Sequence, residues 1–276
     1  MTYQKIAILV ACGALLGGAW AWQVSAAPQA DALQQAVASA TRTPENKARD
    51  AARNPAEVLS FFGVKPHMTV VEIWPGRGWY MEILAPYLKE NGQYIGAGFN
   101  KTSHIAFYRK LAAELDDKIA ASPALYGAIM QTELEPPHKM TIAPANSADM
   151  VLTFRNVHNW MRNGYTQEVY QAMYEALKLG GVLGVVEHRL PEDRDQDPRA
   201  LNGYVKQSVV IAQAEKAGFK LLKASELLAN PKDTADHPSG VWTLPPTFRD
   251  VAEEDKPTYE AIGESDRMLL MFVKPE

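Results

Sequence analysis

The 276 residues contain a single cysteine, Cys12, and it lies inside an N-terminal apolar run. Without that run the chain has no thiol, which excludes disulfides, a thiolate nucleophile and a cysteine-ligated metal. Positive charge is also in short supply. Lys and Arg number 28 against 32 Asp and Glu, a formal charge of -4. With a pI near 5.9 and no basic run, this composition excludes a nucleic-acid surface. Internal repeats and long low-complexity tracts are absent from the sequence. What remains is 47% hydrophobic and 22% charged, enough for one core of ordinary size.

The N-terminus has the three-part pattern of a secretory signal. Lys5 precedes the apolar run Ile6 to Leu16, then Gly17-Gly18, then the small residues Val24-Ser25-Ala26. Cleavage is expected after Ala26, which makes residues 1–26 a signal peptide and the protein periplasmic or otherwise exported. The alternative is an uncleaved anchor, since Ile6 to Trp22 spans 17 residues, the short limit for a membrane helix. Lys5 would then stay on the cytoplasmic side, so the domain is exported either way. Membrane contact is expected only through this segment, if uncleaved. Leu9-Val10-Ala11-Cys12 also has the form of a lipoprotein box, set early behind a very short apolar stretch. Residues 27–44, rich in Ala and Gln, read as a linker or loose helix, and residues 45–276 as one domain.

The most informative run is Val70 to Tyr80, V-V-E-I-W-P-G-R-G-W-Y. Val70, Val71 and Ile73 predict a buried parallel strand. Gly76 and Gly78 break it, and Met81, Ile83, Leu84, Tyr87 and Leu88 follow at helical spacing. A strand, a glycine turn and a helix point backbone N–H groups at a ligand, and a missing Cβ lets the ligand approach closely. The bland alternative is a tight turn without a ligand. A nicotinamide fingerprint wants a third glycine where Met81 stands, so a dinucleotide is disfavoured. Glu72 is an acid in an otherwise apolar strand, and a carboxylate there suits a ligand bearing an ammonium group. S-adenosylmethionine has that group, a sulfonium, and no pyrophosphate.

Later segments extend the pattern. Ser147 to Phe154 reads as another buried strand, running into Arg155-Asn156-Val157-His158-Asn159-Trp160. A helix from Gln167 to Leu179 leads through Gly180-Gly181 to the strand Val182 to Val186, which ends in Glu187-His188-Arg189. Further strands are expected at Gln93 to Gly98, Tyr126 to Gln131, Phe219 to Leu222 and Arg267 to Lys274. Pro231 to Pro257 reads as a long polar surface excursion. The order, with E-I-x-P-G-x-G, D-M-V-L-T-F and A-L-K-L-G-G-V-L-G-V-V-E, resembles class I S-adenosylmethionine-dependent methyltransferases. More narrowly, E-I-W-P-G-R-G-W-Y, F-R-N-V-H-N-W-M and G-E-S-D-R-M-L-L-M-F-V-K-P resemble a bacterial group of exported, methyltransferase-like proteins. The likeness covers about residues 45 to 276. It implies an α/β fold: a doubly wound, mostly parallel seven-stranded Rossmann-like sheet with an antiparallel last strand. It also implies S-adenosyl-L-methionine as cofactor and a small molecule or envelope component as substrate.

In such a sheet the ligand lies beyond the carboxyl ends of the strands. That edge collects the expected cofactor residues Glu72, Trp74, Gly76, Gly78, Asn100, Glu133 and Asn156. By the resemblance Glu133 accepts the adenine amino group; as a bare residue it equally fits a solvated loop acid. Trp79 and Tyr80 are either pocket wall or core. His158 is the expected general base, against a structural histidine as the alternative. Glu187, His158 and His188 lack a metal-ligand spacing, and no metal is expected. Arg155 and Arg189 fit an anionic substrate or ordinary ion pairs. Tyr204 sits where the fold often closes over substrate. Two positions depart from the family pattern: Trp74 replaces the first glycine of the loop, and Gly98 and Asn100 replace the strand-end acid that holds the ribose. Three readings stay open: a methyltransferase, a non-catalytic binding protein on the same fold, and a metal- or histidine-assisted enzyme of another class.

Overall fold

The computed structural model describes residues 27–276, with side chains from residue 32 onward. The expected signal peptide, residues 1–26, lies outside the described residues. No described helix is long and apolar enough to cross a membrane.

One mixed sheet organises the chain. Its strands are β1 (Thr69–Ile73), β2 (Gln93–Gly98), β3 (Met130–Glu133), β4 (Ala148–Phe154), β5 (Leu177–Leu190), β6 (Val205–Lys206), β7 (Lys220–Ser225) and β8 (Arg267–Val273). The order is β3-β2-β1-β4-β5-β8-β7, with the two-residue β6 beside β5. Strands β1 to β5 pair in parallel, and β8 runs antiparallel to both β5 and β7. The expected fold class is therefore observed, with β6 as an addition that no apolar run marked. The order reverses between β1 and β4, and the crevice above that reversal is where such sheets hold ligands.

Alternation along the strands sorts the core into two faces. Val71, Ile73 and Val151 join one cluster, under α8 (Val157–Asn163), α9 (Thr166–Ala176) and α10 (Gln207–Lys216). Val70, Met150 and Leu152 join the other, with residues of α1 (Ala27–Ala38), α4 (Pro55–Phe62) and α5 (Met81–Leu88). The helix α6 (Ala106–Ala121) closes over β2 and β3 through Leu111, Ala112 and Leu115.

Of the two readings of residues 27–38, linker or loose helix, the helix forms: they fold as α1, whose Leu33 is 3% exposed in the second cluster. Two other expectations differ from what forms. Strand β3 starts at Met130 because the preceding residues turn as α7 (Pro123–Tyr126), which buries Tyr126 instead of extending it. Residues 231–257 contain the 3-10 turn Gly240–Thr243, and Val241 and Leu244 are buried. That segment lies against the sheet's carboxyl edge and helps to wall a cavity there.

The short helices α2 (Pro44–Lys47) and α3 (Asp50–Arg53) are pinned across the same edge. Arg42, fully sheltered, makes a two-armed pair with Asp50 at 2.7 and 2.8 Å. Buried Glu82 accepts from the Thr43 backbone N–H at 3.1 Å and from Lys118 at 2.5 Å. Such paired, hydrogen-bonded charges are tolerated in the interior, where an unpaired one would cost several kcal/mol, roughly 3–5. The consequence is a fixed wall from which Asn46, Arg49 and Arg53 face the crevice.

Candidate active site

The turn after β1 is built by departures from ordinary backbone at three alternate positions. Trp74, Gly76 and Gly78 all have positive φ, at 45°, 60° and 79°. Trp74 is a costly residue for that conformation. Its ring is held in compensation: the indole N–H donates to the Leu134 carbonyl at 3.0 Å, and Phe99 stacks on it at 4.8 Å. At 8% exposure the indole packs into the core against Trp160, at 6.3 Å, instead of standing across the glycine turn.

The two glycines differ in what a side chain would meet. A Cβ on Gly76 meets nothing within 4 Å. Gly76 lines both of the cavities that flank the turn. A Cβ on Gly78 would meet Met81 Cε at 2.8 Å and Leu115 Cδ1 at 3.2 Å. Gly78 was expected to face the ligand; it faces the protein, and its role is to let α5 and α6 close over the turn.

Two adjoining cavities share Pro75, Gly76, Phe99 and Leu111 in their walls. The smaller, about 370 Å³, runs along the ends of β2 and β3 past Gly98, Thr132 and Glu133. Glu133 accepts from the Lys101 backbone N–H at 3.1 Å and pairs with Lys139, which holds its carboxyl below the usual range. Gly98, in the place of the missing strand-end acid, has only the Thr132 carbonyl near its absent Cβ, at 3.8 Å. Asn100 does not face this cavity. Its amide donates to Glu135 at 2.5 Å and its oxygen accepts from Lys139 and the Thr102 N–H, on the far side of the β2 end. The expectation that Asn100 partners a ribose is corrected on that ground: both ends of its amide are already bonded.

The larger cavity, about 510 Å³, opens above β1, β4 and β5. Glu72 is 3% exposed and accepts from Tyr94 Oη at 2.6 Å. Burial pushes its carboxyl up to about 7, against the Tyr94 hydrogen bond and the nearby Arg155 charge. Asn156 stands at the N-cap position of α8 without capping it by its side chain; its amide donates instead to the Ile73 carbonyl at 2.9 Å, so it ties the β4 end to β1 below the turn. Trp79 and Tyr80 wall the cavity as well as packing in the core.

At the β5 end, buried Glu187 collects three N–H groups. It accepts from the His158 backbone at 3.2 Å, His158 Nδ1 at 3.0 Å and the His188 backbone at 2.8 Å. A carboxylate with those partners is an acceptor, which fixes the His158 proton on Nδ1 and leaves Nε2 basic. His158 lines the cavity, with Trp242 edge-on at 5.9 Å. His188 bonds Ser265 Oγ through Nδ1 at 2.5 Å. Burial, His158 and Arg155 hold it well below the usual histidine range. His158, Glu187 and His188 are the one group among the described residues with three potential metal ligands gathered, within 4.8 Å. The oxygens of Glu187 are already bonded, and Arg53, Arg155 and Arg267 add positive charge beside His188. That electrostatic setting suits a hydrogen-bonded His–Glu pair better than a cation.

Two expected substrate residues are structural. Arg189 pairs with Glu226 and Asp266 at 2.7–3.0 Å, bracing β5 to the β8 side. Tyr204 is fully buried, donating to Asp233 at 2.9 Å, and does not border the cavity. Arg155, by contrast, lines the cavity with φ of 62°, and among the described residues no acceptor meets its guanidinium. Arg49 and Arg53 were not singled out in the sequence. Their only signal was an Arg at positions four apart beside an acid, a pattern common on solvated helices.

No protein-family model matches the chain, and no curated protein resembles it in sequence. Solved structures do resemble it. A SAM dependent methyltransferase from Aquifex aeolicus superposes with TM-score 0.51 at 17% identity, covering 71% of this chain and 92% of that one. The [4+2]-cyclase SpnF gives TM-score 0.54 at 15% identity, covering 88% and 91%. Phosphoethanolamine N-methyltransferase 2 of Haemonchus contortus, solved with S-adenosyl-L-methionine, gives 0.53 at 15% identity; the match covers 81% of this chain and 53% of that one. At these identities the likeness concerns architecture, and the chain has the Rossmann-like fold of the class I methyltransferases.

Proposed function

We propose that the protein is an S-adenosylmethionine-dependent methyltransferase whose cofactor lies across Gly76, with the nucleoside in the smaller cavity and the amino-acid end in the larger. The observation that carries this reading is the cradle at Gly76: an open space at the turn that any Cβ would enter, bordering both cavities. The flanking residues fit the group. Glu72 offers a buried carboxylate to an ammonium. Glu133 offers an acceptor at the β3 end, although Lys139 already shares it. Trp74 contributes the turn and the wall through its ring packing, and Asn156 holds the floor.

When bound, S-adenosylmethionine supplies a methyl group already activated on a sulfonium. The chain's own task is then mainly positioning and the exclusion of water, which supply most of the rate in such a reaction. Where the acceptor atom carries a proton, His158 takes it at Nε2 while Glu187 holds the opposite Nδ1–H and stabilises the resulting imidazolium. The likeness to a [4+2]-cyclase and the glycine at position 98 favour a second reading, in which the fold serves binding or another reaction. Calorimetric titration of the protein with S-adenosylmethionine and S-adenosylhomocysteine separates the two. Saturable binding of both, lost in Gly76→Val, supports the first; no heat at millimolar ligand sinks it.

We also infer export, with cleavage after Ala26. This rests on the tripartite N-terminus. N-terminal sequencing of the protein from fractionated cells tests it, and a cytoplasmic protein retaining Met1 would overturn it.

A further inference from the structure

The larger cavity contains an excess of guanidinium groups that the proposed cofactor does not explain. Glu264, on the cavity wall, serves two of them, Arg49 Nε at 2.7 Å and Arg53 Nε at 3.4 Å, and also Arg267 Nη1 at 3.2 Å, which lies outside the lining. Arg53 and Arg267 are 3% and 4% exposed. A fourth, Arg155, lies close enough to feel Glu264, Arg267 and Arg49, and burial pulls its guanidinium down to about 10. No described residue accepts a hydrogen bond from its guanidinium, whereas its backbone N–H donates to the Val186 carbonyl at 2.7 Å. Arg155 is partly sheltered at the cavity surface, and a guanidinium fork that finds no protein acceptor there is free to take one from a ligand.

We propose that Arg155, with Arg53 and Arg49 beside it, binds the oxyanion, a carboxylate or a phosphate, of the methyl acceptor. The assignment rests on the methyltransferase reading. Charge separates the acceptor from the cofactor as the source of that oxyanion. S-adenosylmethionine carries a carboxylate, an ammonium and a sulfonium, a net cation, and a site rich in arginine repels it. A separate anion in the same cavity neutralises the arginines and lies favourably beside the sulfonium, so the two ligands assist each other. The surroundings describe the rest of the guest. Tyr80 and Phe154 stack at 3.6 Å, and Trp242 lies under Arg249 at 4.7 Å and Arg162 at 5.2 Å, so the walls between the arginines and His158 are aromatic. An anion on an apolar or aromatic body fits such walls, with its reacting atom toward His158.

The test is calorimetry on the whole mature protein with three probes: benzoate, inorganic phosphate and S-adenosylhomocysteine. Wild type should bind benzoate or phosphate, more tightly when S-adenosylmethionine is also present. Arg155→Gln should weaken that anion at least tenfold and leave S-adenosylhomocysteine within twofold. Arg155→Lys, which keeps the charge and loses the fork, should fall between. Arg49→Gln, at the more exposed edge of the group, should weaken the anion in the same direction and serves if position 155 does not tolerate change. A parallel loss of S-adenosylhomocysteine in Arg155→Gln would overturn the proposal, because the guest would then be the cofactor's own carboxylate. Wild type that binds S-adenosylhomocysteine but neither anion overturns it too. Wild type that binds no S-adenosylhomocysteine removes the methyltransferase reading and the acceptor role with it.

Discussion

Gly76 and Gly78 belong to one turn and share a left-handed backbone, yet their missing side chains face opposite ways: Gly76 into open cavity, Gly78 onto Met81 and Leu115. The two positions therefore separate ligand binding from folding within three residues of chain. Gly76→Ala should lose cofactor affinity by tenfold or more while melting within a few degrees of wild type, since only the backbone strain of about 1 kcal/mol is added. Gly78→Val should instead lower the melting temperature sharply, because the branched side chain must displace Met81 and Leu115. Paired thermal melts and calorimetric titrations check both. Equal loss of binding at equal stability in the two variants would show that the cavity assignment is wrong.

The β2 end offers a gain-of-function test. Gly98 lines the smaller cavity with room at its Cβ, whereas the amide of Asn100 is spent on Glu135, Lys139 and Thr102. A carboxylate that accepts a hydrogen bond contributes roughly 1.5–3 kcal/mol, more than a neutral acceptor. Gly98→Asp should tighten S-adenosylmethionine by about tenfold. Asn100→Asp should not tighten it, and the new charge beside Glu135 should destabilise the loop. An affinity gain at position 100 and none at 98 would mean that the ribose sits on the far side of the β2 end.

Much of this was legible in sequence because it depends on local pattern. The β-branched run Val70, Val71 and Ile73 and the glycine spacing foretold β1 and its turn, and the runs at Ala148 and Val182 foretold the parallel neighbours. The direction in which Gly78 points was not legible, since it depends on α6 arriving from far along the chain. Asn100 was misread for the same reason: its partners Glu135 and Lys139 come from beyond β3. The arginine group is wholly tertiary. Arg49 and Arg53 come from the N-terminal wall, Arg155 from the β4 end, and Glu264 from just before β8. A residue without a partner cannot be recognised until every neighbour has been placed.

His158 and Glu187 make a base test with an internal control. His158→Gln removes the basic nitrogen and should reduce turnover by about 10²–10⁴-fold, with cofactor affinity nearly unchanged. Glu187→Gln keeps the shape but presents an amide to three N–H groups, one end of which is a mismatched donor. It should lower both stability and turnover, the first because buried polar groups lose acceptors. Steady-state kinetics with any acceptor found, alongside melts, separates the two. Turnover unchanged in His158→Gln would return this histidine to a structural role.

Glu72 ties cofactor affinity to pH, and stability to the same group with the opposite sign. Its carboxyl stands at about 7 in the folded protein against an ordinary 4.5, chiefly through burial. Between those values the native state holds a proton that the unfolded chain has released, so stability falls as pH rises through the window. A full shift of that size corresponds to something on the order of 3 kcal/mol, lost once the pH exceeds about 7. Binding runs the other way. An ammonium is received by the ionised carboxylate, so S-adenosylmethionine affinity should climb as pH rises toward about 7 and level off above it. Tyr94 on β2 and Arg155 after β4 are the facing groups, and both favour ionisation. Glu72→Gln keeps an acceptor for Tyr94 Oη and has nothing to titrate. It should melt higher than wild type at pH 8, match it near pH 5, and bind S-adenosylmethionine weakly with no slope across pH 5–8. Calorimetric titrations and melts over that range read both effects. A slope that survives in Glu72→Gln would assign the titration to another group and detach Glu72 from the ammonium.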